Sequence, residues 1–192
     1  MSPSGRPKGL KIDFHTHTNF SSDGDMSPEG IIRAAKNAGL DGIAVTDHNT
    51  IRGGKRAEKL AGNDFIVFVG AEIKTADGEI IGINLRGDIP PDLSPEETCR
   101  RIKNQGGFVI IPHPFDKTRS GLGDAVEKIV EYIDAVEVFN ARSPFDRFNK
   151  KAADFACKKN LPRVAGSDSH FEDELGYAHT MVYSDRNKKN IR

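Results

Sequence analysis

Short apolar segments alternate with helix-forming ones along almost the whole of this chain, and that alternation leaves few folds open. Residues 10–14, 42–45, 65–72 (FIVFVGAE), 79–85, 108–111, 135–139, 163–165 and 181–183 read as strands. Helix signals fall between them. Ser27-Pro28-Glu29 opens a helix with a Ser cap and Pro at the first position, and Gly39 ends it. A second helix runs to about Leu60, with a less distinct start. Ser94 and Glu97 have the spacing of a capping box, and Gly106-Gly107 stop the helix they begin. Residues 124–132 read as helical, and Phe148, Ala152, Phe155 and Ala156 share one face of a further helix. Ala76-Asp77-Gly78 has the composition of a tight turn between two strands. The pattern predicts α/β architecture: a parallel sheet covered by helices, open or closed into a barrel. At 192 residues one domain is expected, spanning 10–184 between a flexible segment (1–9) and a solvated tail (185–192).

Charge narrows the partners. Lys and Arg number 28 and so do Asp and Glu, so no bulk field draws the chain to nucleic acid or an anionic membrane. Residues 1–9 carry Pro, Gly and Ser without an apolar stretch, and nothing approaches the ~18 apolar residues of a membrane span, so a cytoplasmic location is expected. Cys99 and Cys157 form no CxxC unit and read as buried thiols on helices. The chain also lacks GxSxG, Walker and GxGxxG motifs.

Five of the six histidines, His15, His17, His48, His113 and His170, fall at or just past the C-terminal end of a strand. In α/β folds that edge is where side chains from different strands meet. Asp13, Asp47, Glu72, Glu137 and Asp168 lie on the same edge. In extended Asp13-Phe14-His15-Thr16-His17, alternate residues share a face, which sets Asp13, His15 and His17 together and Phe14 opposite. Two imidazoles on one face suit one cation, although a strand with solvent-facing polar residues has the same pattern. Asp168 and His170 repeat the i, i+2 spacing. His113, between Pro112 and Pro114, is expected in a rigid extended backbone. Asp47 either caps the following turn or orients a histidine. Taken singly, the motifs at His48, His113 and Asp168–His170 read as turn residues or packed histidines ahead of ligands. Such a cluster of imidazoles and carboxylates costs desolvation that cations or tight pairing must offset.

In that order, DFHTH, SDG, TDH, GAE, HP and GSDSH resemble the PHP (polymerase and histidinol phosphatase) family of metal-dependent phosphoesterases, from about Lys11 to Thr180. The resemblance implies a distorted, seven-stranded, TIM-like (β/α) barrel and two to three divalent cations, zinc, manganese or iron. By position, one cation would take His15, His17, Glu72 and Asp168, with Glu72 shared with a second. The second would add His113 and Glu79, which stands where many relatives carry a His. The third would take Asp23, His48 and His170. A carboxylate at 79 tilts preference from zinc toward manganese or iron. Glu137 and Asn140 are expected to support the ligands, Arg119 and Arg142 to bind substrate phosphate, and His179 to be structural.

These expectations describe a phosphoesterase in which a cation-activated water attacks phosphorus, with Glu72, Asp168 and His170 as the catalytic residues and no side-chain nucleophile. Zero net charge favours a small phosphomonoester or nucleotide over long nucleic acid, a short oligonucleotide remaining small enough for an open mouth. Two rivals stand beside it. One is a metal-dependent amidohydrolase, whose bridging Lys would have to be Lys74, and the other is a non-catalytic polymerase-accessory or regulatory module.

Overall fold

The computed structural model describes residues 9–183; the expected tail at 185–192 and residues 1–8 of the expected N-terminal segment lie outside them. Eight strands form one sheet: β1 (Gly9–Thr16), β2 (Gly42–Val45), β3 (Ile66–Lys74), β4 (Glu79–Ile83), β5 (Phe108–Ile111), β6 (Ala135–Asn140), β7 (Arg163–Gly166) and β8 (Thr180–Tyr183). Four α-helices cover it: α1 (Pro28–Asn37), α2 (Arg52–Ala61), α3 (Pro95–Asn104) and α4 (Asp146–Lys159). The stretch Gly123–Tyr132, expected to be helical, is wound as 3-10 helix.

The strand order is β7-β6-β5-β4-β3-β2-β1-β8. The sheet curls until its far side meets β1: Ser167 N donates to Asp13 Oδ1 at 3.0 Å, while Asp168 N reaches His15 O at 2.8 Å and His17 N reaches Ser169 O at 2.9 Å. The result is a nearly closed barrel with eight strands where the resemblance implied seven. It is not wholly parallel. β4 runs antiparallel to both β3 and β5, and β8 runs antiparallel to β1. The turn at Thr75–Gly78, closed by Thr75 N to Gly78 O at 2.7 Å, is too short for a crossover, so β4 must reverse.

Leu10, Ile12, Ala44, Phe68, Ile81 and Ile110 make the apolar filling of one sheet face. On the other, α1 and α2 bury Ile31, Ala35 and Ala57 against Ile43, Val45 and Val67. Ile102 of α3, Val126 and Ile129 of the 3-10 segment and Ala156 of α4 pack with Val109, Ile111 and Val136. Each fully buried Ile contributes roughly 1.5–3 kcal/mol against the exposed state.

Local signals explain the helix ends. Ser27 Oγ accepts from Gly30 N at 3.0 Å, Pro28 opens α1, and Gly39 follows with φ +76°. Ser94 Oγ likewise accepts from Glu97 N at 3.2 Å, but the capping box is only half made. The Glu97 carboxylate turns instead to Arg101 Nε at 2.8 Å and Arg100 Nη1 at 3.2 Å. Cys99 is buried, and burial pushes its thiol up to about 12. Cys157 is exposed, against the expectation of two buried thiols, because the apolar face of α4 is made by Ala152, Phe155 and Ala156.

Candidate metal centre

The C-terminal ends of the parallel strands define one mouth of the barrel. From β1 come His15 and His17, and His48 follows β2. Glu72 comes from β3, His113 follows β5, and Asp168 and His170 follow β7. Because β4 is reversed, its first residue rather than its last faces this mouth, which places Glu79 beside the others. Asp23 comes from the loop between β1 and α1. All nine side chains expected as ligands are brought together.

Glu72 is at the centre. Its Oε2 lies 3.3 Å from His15 Nε2, 3.5 Å from His17 Nε2 and 3.3 Å from His48 Nδ1. Its Oε1 lies 3.0 Å from His113 Nε2. Asp168 Oδ1 closes the first group, 3.6 Å from His15 Nε2 and 3.4 Å from His17 Nε2. Glu79 sits 4.0 Å from both His48 Nδ1 and His113 Nε2. Asp23 Oδ2 joins His48 Nε2 at 3.4 Å to His170 Nε2 at 3.2 Å.

The set fits divalent cations. His15 and His17 are fully buried, and the Nε2 atom of each has no hydrogen-bond partner while facing carboxylate oxygens. An unsatisfied buried polar atom costs roughly 1–3 kcal/mol, a cost that a shared cation removes. His15, His17 and Asp168 offer three donor atoms within reach of one ion, as do His15, Glu72 and His113, and His48, Glu72 and Glu79. His17, His48 and His170 form a further such group. Imidazole and carboxylate without thiolate suit zinc, manganese and iron.

Other groups hold these rings in place. Glu137 Oε1 meets His15 Nδ1 at 3.0 Å, and its Oε2 accepts from His113 N at 2.8 Å and from Asn140 Nδ2 at 3.0 Å. Such a carboxylate behind an imidazole fixes the ring and raises its basicity. Ser21 Oγ is 3.2 Å from His17 Nδ1 and accepts from His48 N at 2.8 Å. Asp47 acts one step further back, its Oδ1 accepting from Thr18 N at 2.6 Å and Ser21 Oγ at 3.3 Å. Glu174 Oε2 accepts from His170 N at 2.7 Å. Sequence reasoning missed Ser21 and Glu174. Ser21 is visible only as a turn residue in SSDG, and Glu174 lies in a short 3-10 turn without a spacing signal.

Two backbone expectations fail here. The alternation of β1 is broken by a register shift between Asp13 and Thr16. Asp13 therefore accepts backbone N–H groups, while Phe14 packs with Phe68 at a centroid distance of 6.0 Å. His113 is not extended between its prolines but has φ +27°, its N–H drawn to Glu137. Asp168 also has positive φ, +56°. Such conformations persist where surrounding contacts over-determine them.

Burial opposes charge on Glu72, but His15 and His113 outweigh it and hold the carboxyl well below its ordinary range. Asp168 is likewise lowered against burial, by His15 and His17. His15 is raised despite burial by Asp168, Glu72 and Glu137. Glu79 is pushed up to about 7, first by burial and then by the neighbouring Glu72 charge. A cation bound among these groups would do the work that protons do here.

Arg119 and Arg142 also reach the cluster. Arg119 Nη1 contacts Asp168 Oδ2, and Arg142 Nη1 contacts His170 Nδ1 and lies 3.5 Å from Asp168 O. His179 precedes β8 and takes no part in the cluster among the described residues. Lys74 points away, its side chain 62% exposed and paired with Asp92 Oδ1 at 3.6 Å.

Residues 13–109 match the PHP domain family, and residues 146–191 match the PHP-associated family. The chain is 44% identical over 143 residues to Uncharacterized protein MJ1587 of Methanocaldococcus jannaschii, covering 69% of this chain and 82% of that protein. It is 29% identical over 143 residues to DNA polymerase III PolC-type of Staphylococcus epidermidis, covering 72% of this chain but 9% of that much longer protein. Among solved structures, a proposed metal-dependent phosphoesterase from Bifidobacterium adolescentis superposes with a TM-score of 0.73 at 18% identity, over 96% of this chain and 93% of that one.

Proposed function

Because this chain belongs to the PHP domain family, we propose that it is a metal-dependent phosphoesterase acting on a small phosphomonoester or nucleotide, with reach for a short oligonucleotide. One observation carries the reading: nine imidazole and carboxylate side chains meet at the mouth, and two fully buried imidazole nitrogens face carboxylates with no hydrogen-bond partner. His15, His17, Glu72 and Asp168 would hold one cation, Glu72, His113 and Glu79 a second, and Asp23, His48 and His170 a third, zinc, manganese or iron in each case.

Cations in such a site make water acidic enough to be a nucleophile near neutral pH and offset the charge that builds on phosphoryl oxygens. The chain's own groups do the rest. Glu137 and Ser21 orient His15 and His17, and Asn140 Nδ2 donates to Asp168 Oδ2 at 3.0 Å. Arg119 and Arg142 supply guanidinium donors to phosphate oxygens, and Glu72, Asp168 and His170 are the residues on which turnover depends. The amidohydrolase rival would need Lys74 to bridge its cations, and Lys74 is turned to solvent and paired with Asp92. The similarity to the polymerase sustains a non-catalytic module as the second reading, against which stand eight donor side chains that match the family pattern and a carboxylate, Glu79, at the ninth position.

The test is a screen of p-nitrophenyl phosphate, phosphorylated metabolites and amides with protein reconstituted with manganese or zinc. Phosphate release that chelator abolishes is the expected result, and Asp168→Asn should eliminate it while the circular dichroism spectrum stays unchanged. Amide hydrolysis alone would favour the amidohydrolase, and metal binding without turnover would favour the accessory module.

A further inference from the structure

We propose that Asp116 is a positioning residue that joins two arginine-bearing loops into one clamp for a terminal phosphoryl group, an inference that rests on the phosphoesterase reading above. Arg119 lies on the loop after β5 and Arg142 on the loop after β6. Although they come from different strands, both guanidinium groups arrive at Asp168, one at its carboxylate and the other near its carbonyl oxygen. Each guanidinium rests beside a carboxylate of the protein, Arg119 on Asp168 and Arg142 at 3.8 Å from Glu174 Oε1, so a phosphoryl group that draws both away must offset two positive charges, which a doubly charged anion does best. A phosphomonoester dianion answers this arrangement better than a singly charged diester.

Arginine side chains on loops lose their aim unless the loops are fixed relative to each other. Asp116 supplies that link. It is 1% exposed, and its carboxylate touches neither guanidinium nor any of the nine clustered side chains. Oδ1 accepts from Thr118 N at 2.9 Å and Thr118 Oγ1 at 2.6 Å, closing the turn that leads to Arg119. The backbone adds Arg119 N to Asp116 O at 3.3 Å. Oδ2 accepts from Ser143 Oγ at 3.0 Å, so it holds the residue next to Arg142 on the other loop. On its far side Arg142 is fixed by its own N–H to Asn140 Oδ1 at 2.9 Å. One carboxylate thus fastens one loop with each oxygen, and the Ser143 bond crosses between them.

The test uses the manganese-loaded full chain, with inorganic phosphate as the binding probe and p-nitrophenyl phosphate and bis(p-nitrophenyl) phosphate as monoester and diester substrates. Ser143→Ala cuts only the crossing bond. It should weaken phosphate binding in calorimetry, and raise the monoester KM, by about three- to tenfold, the worth of one net hydrogen bond. Turnover number and metal stoichiometry should stay within about twofold of wild type, the split expected for lost ground-state binding. Ser143→Thr, which keeps the hydroxyl, should restore both, and Asp116→Ala should lose more than Ser143→Ala. Amide exchange across residues 141–145 should quicken in Ser143→Ala. Unchanged phosphate affinity in Ser143→Ala and Asp116→Ala overturns the clamp, as does a fall in turnover number at constant affinity. Phosphate binding that weakens in Ser143→Ala, in a protein that hydrolyses no ester, leaves the clamp standing and removes the phosphoesterase reading. Hydrolysis indifferent to Ser143 does the reverse, and wild-type protein that binds no phosphate sinks the clamp outright.

Discussion

Deep burial can outweigh the N–H groups that would otherwise hold a carboxyl ionised, and Asp13 is such a group. Its Oδ1 accepts from His15 N at 3.1 Å and Ser167 N at 3.0 Å, its Oδ2 has no partner, and burial pushes it up to about 7. The folded chain therefore holds a proton that the unfolded chain has released above about pH 4. Asp13's contribution to stability is complete below that pH and falls as pH rises toward about 7. Asp13→Asn keeps the acceptor and removes the titration. Denaturant unfolding in chelator should show the variant gaining on wild type by about 1–3 kcal/mol between pH 5 and pH 8, and no change with pH would refute the assignment. Glu79 allows a second test, this time of ligation. Glu79→Ala should lower metal stoichiometry and turnover together, whereas Glu79→His should keep both and favour zinc over manganese. A neutral Glu79→Ala would leave the second cation to be completed by another group. At this scale the sequence was legible wherever chemistry sat at strand ends. The five histidines could be placed because strand boundaries locate them, while Asp13 was misread because a register shift leaves no mark in residue type.

Among the elements, the strands and helices followed from apolar spacing and caps, and the reversal of β4 was foreshadowed by Ala76-Asp77-Gly78 without being drawn from it. That reversal matters for the site. An acidic first residue on a parallel strand would face the opposite end of the barrel, so only an antiparallel β4 sets Glu79 beside Glu72. Barrel closure was less legible, since no local pattern says which distant strand a strand end will meet. Gly166, the last residue of β7, shows how tight that closure is: a Cβ there would run into Glu137 Oε1 and the His15 Cβ. Gly166→Ala should cost about 2 kcal/mol or more in denaturant unfolding and slacken the Glu137 to His15 contact. A substitution as mild as an exposed one, within about 0.5 kcal/mol, would mean that β7 can shift outward freely.

For the molecule as a whole, the barrel concentrates desolvated carboxylates and imidazoles at one end, and cations that bind only the folded chain should stabilise it by mass action. At a hundredfold excess over Kd a single ion adds about 2.7 kcal/mol. For a chain of this size that raises the melting midpoint by about 5–10 °C. Differential scanning calorimetry with manganese, zinc and chelator measures it, and an unmoved midpoint would argue that the cluster is satisfied by its own protons. The meeting of β1 with the chain beyond β7 has a consequence for the order of events in the cell. Asp13 and Ser167, joined by a hydrogen bond, are 154 residues apart. A ribosome therefore releases His15 and His17 long before Asp168 and His170 exist to face them. Partial chains carry imidazoles without the carboxylate that closes their group, and would hold metal loosely. Selection of the correct ion would thereby wait until translation has passed β7, when metal meets a finished barrel rather than a nascent one.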